Sequence, residues 1–185
     1  SRLDLRDPLY PLSPYTQAVL LALAWNTRPD RIFIAGLGGG RVPFILHHYL
    51  PEAGLECAEI DAVVIKAATC FFGLRPDARL QVACQDAREY LARQGADVRY
   101  DLILIDAFLG GGDGPYHLAT KEFYRLCRRH LSDRGVIIAN LLHHDSLLSE
   151  KVKTIQSMFE HIYFWPPGRG NGLVFGTCGP SLSRE

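Results

Sequence analysis

Residues 31–49 have the sequence RIFIAGLGGGRVPFILHHY. The apolar run at 31–35 predicts a strand, four of the next five residues are glycine, and 42–49 has the pattern of a helix. Strand, glycine turn and helix in this order are typical of the first unit of a nucleotide-binding α/β domain. Gly36, Gly38 and Gly40 lack the Cβ atoms that would keep a nucleoside away from the backbone at a helix N-terminus. A plain tight turn is the structural alternative for these glycines.

The alternation of strand and helix continues along most of the chain. Apolar runs predict further strands at residues 55–60, 80–84, 100–105 and 135–141. Helical patterns follow them at residues 62–72, 87–93, 120–130 and 146–159. Strands that alternate with helices at this spacing predict an α/β fold in which a mostly parallel sheet is covered on both faces.

The two ends of the chain depart from this alternation. A dense apolar stretch at 15–25 predicts a buried helix before the first strand. At the other end, residues 162–165 and 173–177 predict two strands without a helix between them, which favours a terminal antiparallel hairpin. We therefore divide the chain into a lead and helix at 1–30, a nucleoside-binding catalytic domain at 31–178 and a tail at 179–185.

Composition excludes several classes of protein. The chain has 185 residues, and 20 Lys and Arg balance 20 Asp and Glu, so a nucleic-acid partner is disfavoured because phosphate contacts need a basic surface. No apolar stretch approaches the roughly 18 to 20 residues that span a bilayer, and no signal-peptide core is found, so we expect no membrane partner and a cytoplasmic location. The five cysteines show no CxxC or Cys/His spacing, which predicts reduced thiols and no metal site.

Acidic residues follow the second and third predicted strands. Glu59 and Asp61 come about 20 residues after the glycines, where a carboxylate can accept both hydroxyls of a ribose. Asp86 follows the third strand and is a candidate to bind an adenine amino group, with Ala87 beside it as a further cofactor contact. A solvated strand end is the alternative for Glu59 and Asp61, and helix capping is the alternative for Asp86, where both roles can hold at once.

Asp106 is the sharpest single candidate, and we expect it to be catalytic. It ends the apolar strand at 100–105, so its carboxylate should lie at the sheet edge where ligands bind in open α/β folds. The glycine-rich segment at 107–115 is a candidate for a mobile lid over that pocket. The structural alternative is that Asp106 only caps a turn.

Aromatic and histidine side chains offer weaker candidates. His117, His143 and His144 lie in or near predicted loops without an identifiable partner, which favours ordinary surface or packing roles. Tyr10 and Tyr15 are more typical of core or rim aromatics. Of these residues, we keep Tyr15 and His117 as candidates for contact with a substrate.

These residues together resemble the spermidine synthase-like family, whose catalytic domain has the class I methyltransferase fold. The similarity covers about residues 14–142 and keeps six motifs in order: IAGLGGG (34–40), AEID (58–61), QDA (85–87), YDLILIDAF (100–108), TKEFY (120–124) and LSDRGV (131–136). The resemblance implies a Rossmann-like fold with a mostly parallel seven-stranded sheet and a terminal antiparallel hairpin.

The resemblance also implies roles for the candidate residues. The glycine loop and Glu59 would hold the nucleoside, Asp86 would contact the adenine, and Asp106 would handle the attacking amine. The implied co-substrate is S-adenosylmethionine (AdoMet) or decarboxylated AdoMet, without a metal. The implied partner is a small amine-type acceptor, and a homodimer is a candidate assembly.

Departures from the family pattern favour its divergent branch. True aminopropyltransferases carry an Asp inside the glycine loop, where this chain has Gly39, and a second Asp three residues after the catalytic one, where it has Leu109. Asp113 is a candidate to replace that second acid in binding the acceptor. The small N-terminal β domain of the family has no counterpart in residues 1–30.

Several functions stay open on the sequence. Transfer of a methyl group from AdoMet is favoured. Decarboxylated AdoMet presents a bare ammonium that is best bound by acidic side chains, and this chain has Gly39 where the aminopropyltransferases carry one of those acids. Aminopropyl transfer in polyamine biosynthesis is the alternative, and a non-catalytic nucleoside-binding or dimer-forming homologue is a further one. An NAD-dependent oxidoreductase is disfavoured by Arg41, which breaks the GxGxxG pattern, and by the hairpin-like end.

Overall fold

The computed structural model describes residues 2–108, 114–166 and 171–179. The described residues form seven strands: β1 (Arg31–Ala35), β2 (Gly54–Glu59), β3 (Leu80–Cys84), β4 (Tyr100–Ile105), β5 (Leu131–Leu142), β6 (His161–Trp165) and β7 (Asn171–Thr177). Their α helices are α1 (Pro14–Val19), α2 (Arg41–Tyr49), α3 (Ala62–Phe71), α4 (Ala87–Ala92), α5 (Lys121–His130) and α6 (Leu148–Gln156). Short 3₁₀ helices cover Leu20–Ala24 and Tyr116–Leu118.

All seven strands belong to one sheet in the order β3-β2-β1-β4-β5-β7-β6. The strands from β3 to β5 are parallel, and β7 runs antiparallel to both of its neighbours, so the predicted mostly parallel sheet with a terminal hairpin is confirmed. The strand order reverses between β1 and β4. In open α/β sheets ligands bind outside the carboxyl ends of the strands at such a reversal, so the fold itself marks the position of the site.

Burial on both faces explains why the central strands are almost continuously apolar. Ile32 and Ile34 of β1 point into one core and Phe33 into the other, because successive side chains of a strand alternate between faces. One core is covered by α1, α2 and α3, and the other by α4, α5 and α6. The helices therefore bury both faces of the central strands and leave their carboxyl ends at one edge of the sheet.

The apolar stretch at 15–25 forms a helix that changes pitch. It is α-helical in α1 and continues as the 3₁₀ helix Leu20–Ala24. Trp25, which follows this helix, packs onto the terminal hairpin. Its ring stacks on Phe175 at a centroid distance of 5.6 Å and meets Tyr163 edge-on at a centroid distance of 5.1 Å. This packing holds Tyr15, near the start of α1, against the sheet.

Two elements differ from their predicted boundaries by three or more residues at one end. β5 begins at Leu131 instead of 135, because its pairing with β4 shifts register between Tyr100 and Leu102. α6 covers Leu148–Gln156, shorter than the predicted 146–159, although Phe159 is still buried in the core beyond the helix end. Among the described residues, no helix has the length and apolarity needed to cross a membrane.

Candidate functional site

A cavity of about 440 Å³ lies at the carboxyl ends of β1, β2, β3 and β4. This volume suits a small organic ligand. Most of the predicted site residues line the cavity: Gly36, Gly38, Glu59, Asp61, Asp86, Ala87, Asp106 and His117. Two predicted residues do not line the cavity: Tyr15 bonds to Asp106 at its edge, and Gly40 lies just before α2. Asp113 lies outside the described residues, together with 109–113 of the predicted lid and 180–185 of the predicted tail.

The glycine loop brings the end of β1 against the end of β4. Gly36 has a φ of 95°, and a Cβ atom built on it would lie 2.4 Å from the carbonyl oxygen of Asp106. Gly40 begins α2 with a φ of 66°, and a Cβ atom there would lie 3.0 Å from the side chain of Leu74. Any larger residue at position 36 would therefore push the loop away from Asp106.

Glu59 braces the glycine loop from the end of β2. Its Oε2 accepts a hydrogen bond from the backbone N–H of Leu37 at 2.9 Å, and its Oε1 accepts one from the N–H of Asp61 at 3.0 Å. Asp61 in turn caps α3 by accepting from the N–H of Val63 at 2.7 Å. A carboxylate has about four lone-pair directions, so Glu59 keeps acceptor capacity toward the cavity.

Asp86 combines two roles at the end of β3. Its Oδ1 caps α4 by accepting from the N–H of Glu89 at 3.0 Å, and its Oδ2 lies 2.6 Å from Nε2 of His117. Burial opposes its ionisation, but these hydrogen bonds hold the pKa of Asp86 below its ordinary value. The pairing corrects the expectation that His117 lacks a partner. Sequence patterns missed the pairing because His117 lies 31 positions from Asp86 along the chain.

Asp106 is a partly buried acid of the cavity, and two side chains hold its carboxylate. Its Oδ1 accepts a hydrogen bond from Nδ2 of Asn140 at 2.6 Å, and its Oδ2 accepts one from the hydroxyl of Tyr15 at 3.3 Å. Burial raises its pKa from 3.8 to about 6, although both hydrogen bonds act in the opposite direction. A group with this pKa is poised to exchange a proton near neutral pH.

Asn140 was missed by the sequence analysis. It lies near the end of β5, directly beyond the register pair Ile105 and Ala139, so it faces the residue that follows β4. The available signal was a single polar residue inside the apolar run VIIANLL at 136–142. A polar side chain in a buried strand needs a partner, and here that partner is Asp106.

The chemistry of the cavity follows from its many acceptors. Carboxylates at several strand ends suit the hydroxyl and amino groups of a nucleoside, and they also favour a cationic ligand. Within the described ranges, no group of three or more His, Cys, Asp or Glu side chains is arranged to hold a metal ion.

Comparison with known proteins gives the family. No family model matches the chain. The chain is 38% identical over 164 residues to a polyamine aminopropyltransferase of Vibrio vulnificus, and the match covers 87% of this chain and 54% of that protein. The chain belongs to the spermidine synthase-like family. This spermidine synthase-like chain spans about half the length of the Vibrio relative.

Methyltransferases are also similar to this spermidine synthase-like chain. It is 27% identical over 174 residues to the human eEF1A lysine and N-terminal methyltransferase, covering 85% of this chain and 25% of that protein. The crystal structure of human methyltransferase-like protein 13 in complex with SAH superposes with a TM-score of 0.85 at 24% identity, covering 93% of this chain and 86% of that one. At this identity the superposition establishes the shared class I methyltransferase fold.

Proposed function

We propose that this spermidine synthase-like chain is a cytoplasmic transferase that binds AdoMet or a related sulfonium nucleoside and transfers an alkyl group to an amine-type acceptor. One observation carries the proposal: the glycine loop, Glu59, Asp86 and Asp106 come from four separate strand ends and line a single cavity of about 440 Å³. The buried free thiols of Cys57 and Cys127 support a reducing compartment.

The proposed roles follow the positions of the acids around the cavity. Glu59 would use its remaining lone pairs for the ribose hydroxyls while it keeps the loop in place. Asp86 and His117 would lie at the adenine end, with Asp86 accepting from the adenine amino group. Asp106 would face the reacting centre, because it lies between the glycine loop and the end of β5.

In the proposed mechanism the chain mainly positions two reactants. A bound sulfonium supplies an activated carbon and leaves as a neutral thioether. The protein would hold the acceptor nitrogen in line with that carbon, and positioning of this kind can lower a barrier by about 7 to 11 kcal/mol. Asp106 would take the proton that the nitrogen must lose, for which its pKa of about 6 is well placed.

Transfer of a methyl group is our preferred form of the reaction. Gly39 stands where aminopropyltransferases of the family carry an acid, so the loop lacks one carboxylate suited to the bare ammonium of decarboxylated AdoMet. The likeness to a methyltransferase over 85% of the chain supports the same choice. Aminopropyl transfer is the second candidate, favoured by the 38% identity to the aminopropyltransferase of Vibrio vulnificus.

Calorimetric titration of the protein with AdoMet, decarboxylated AdoMet and NAD tests the proposal. We expect AdoMet to bind most tightly and NAD not to bind. A clear preference for decarboxylated AdoMet would reverse our order of the two transfer reactions. Binding of neither sulfonium nucleoside would refute the transferase, and binding without turnover of any amine would favour the non-catalytic homologue.

A further inference from the structure

Helix α3 is apolar on nearly every side. In its sequence AVVIKAATCF, Lys66 is the single charged residue and Thr69 the single hydroxyl residue. One side, which includes Val64, Ile65 and Ala68, packs into the core against the sheet. The opposite side of a surface helix is normally polar, and a helix that is apolar all round is normally buried.

The side of α3 that faces away from the sheet is nevertheless exposed. Val63 is 72% exposed, Phe71 is 77% exposed, and Ile60, just before the helix, is 69% exposed. Ala67 and Cys70 lie between Val63 and Phe71 on the same side, because residues three and four positions apart are neighbours on a helix surface. We call Val63, Ala67, Cys70 and Phe71 the α3 stripe.

The exposed apolar area is of the size that a specific interface needs. Apolar side chains of this size have accessible areas of roughly 150 to 200 Å², so Ile60, Val63 and Phe71 together expose about 400 Å². A standard interface buries about 800 Å² of each partner, of which roughly 57% is apolar. These side chains therefore supply most of the apolar part of one such interface, and the polar residues around them would form its rim.

The spacing of the α3 stripe is the same in both directions along the helix. The small side chain of Ala67 lies at its centre, and the larger Val63 and Phe71 lie four positions before and after it. If two copies of α3 cross antiparallel about a two-fold axis at Ala67, Val63 of each copy meets Phe71 of the other. The small central residue also lets the two helices approach closely.

The charge of α3 favours a second copy over a membrane surface. Helices that lie on a membrane carry several Lys or Arg residues beside their apolar face. Helix α3 has only Lys66, and its long side chain can extend past the contact into water. A stripe with one flanking charge and a symmetric spacing is therefore suited to its own copy.

We infer that the α3 stripe is a dimer interface, in which α3 packs antiparallel against α3 of a second copy of the chain. The interface lies beside the larger cavity, because Ile60, Asp61 and Val64 at the start of α3 line that cavity. The inference goes beyond the proposed function, since it does not depend on what the cavity binds.

Sedimentation velocity at concentrations up to about 100 µM tests the interface, because interfaces of standard size have dissociation constants from micromolar to picomolar. We expect the wild type to be a dimer. Phe71→Lys should weaken the dimer at least tenfold, since buried aromatic residues carry much of the binding energy of an interface. A cation at the last residue of α3 is compatible with the helix. Leu21→Lys is the matched control: Leu21 is 51% exposed but lies in the 3₁₀ helix Leu20–Ala24, so this variant should dimerise as the wild type does.

Disulfide crosslinking tests the antiparallel register. Residues on the two-fold axis are close enough to crosslink, so Ala67→Cys should form a covalent dimer under mild oxidation in a background of Cys70→Ser and Cys84→Ser, which removes both exposed thiols. Cys84→Ser alone, which keeps Cys70, should form none. The two copies of Cys70 would be six residues or about 9 Å apart along the helices, beyond the limit of about 7 Å between Cα atoms for a disulfide.

Several outcomes would overturn the inference. A wild type that stays monomeric at the highest concentration would do so, and its binding to vesicles of phosphatidylcholine and phosphatidylserine would assign the α3 stripe to a membrane instead. A dimer that Phe71→Lys does not weaken, or one in which Ala67→Cys forms no crosslink, would place the interface elsewhere. If Phe71→Lys does not fold, Val63→Lys replaces it with the same expected result.

Discussion

Replacing Asp106 by Asn should make the protein more stable at neutral pH. The wild-type carboxylate is ionised there although it is partly buried, and it is stabilised by hydrogen bonds from Asn140 and Tyr15. An Asn side chain has the same shape and no charge, and its carbonyl oxygen can still accept the hydrogen bond from Asn140. The substitution therefore removes the cost of burying a charge and keeps most of the packing.

The magnitude follows from the pKa of Asp106. Folding raises it from 3.8 to about 6, and each unit corresponds to about 1.4 kcal/mol, so the ionised group costs about 3 kcal/mol. Between these values the unfolded chain has released the proton and the folded one still holds it, so stability falls as the pH rises. The full cost is present above the folded pKa of about 6 and vanishes below 3.8.

Urea unfolding of both proteins between pH 4 and pH 8 measures the effect. Asp106→Asn should be more stable by up to about 3 kcal/mol at pH 7, or roughly 6 to 12 °C in melting temperature, and nearly equal to the wild type at the acidic end. Asp86→Asn is a control in which stability should change in the opposite direction, because hydrogen bonds to the Asp86 carboxylate lower its pKa. It should be less stable than the wild type at pH 7. A stability difference for Asp106→Asn that does not change with pH would refute the reasoning.

Three further substitutions at the site, and one control at Gly73, test the assigned roles. Gly36→Ala should lower the free energy of unfolding by about 3 kcal/mol or more, because of its positive φ and its close contact with Asp106. Gly73→Ala, also at positive φ but in open space, should lower it by about 1 kcal/mol. Thermal melting compares the two variants. Glu59→Gln should weaken AdoMet binding about tenfold in calorimetry, since it removes charge from the acceptor that braces the loop. Tyr15→Phe should raise the pKa of Asp106 in a carboxyl NMR titration, and an unchanged pKa would contradict the assigned hydrogen bond.

Most of the fold could be predicted from the sequence, because the apolar pattern is strongest in the strands that are most deeply buried. β1 and β4 are apolar on both faces, and the helices that cover them follow at regular spacing. Parallel strands place their carboxyl ends at one edge, so residues that follow different strands, such as Glu59, Asp86 and Asp106, were expected to meet. Topology alone supplied that part of the site.

The remaining contacts depend on distances that no local pattern encodes. The hydroxyl of Tyr15 reaches Asp106 across 91 positions because Trp25 anchors the helical lead on the terminal hairpin. His117 reaches Asp86 from the short 3₁₀ helix Tyr116–Leu118, 31 positions away. Asn140 required the register of β5 against β4, which the sequence does not give. Contacts that depend on strand register, or on segments outside the regular alternation of strands and helices, are thus the ones that sequence reasoning misses.

The acidic residues of the cavity differ in whether a purely structural role explains their presence. Asp61 and Asp86 cap the helices that follow them, so a local structural role explains much of their chemistry. Asp106 has no such explanation: its two side-chain partners lie 34 and 91 positions away, and burial raises its pKa toward neutrality. A turn cap would bond to nearby backbone amides and would not need to be buried. An acid that weakens the fold at neutral pH and is held by two distant side chains is best explained by the chemistry proposed for it.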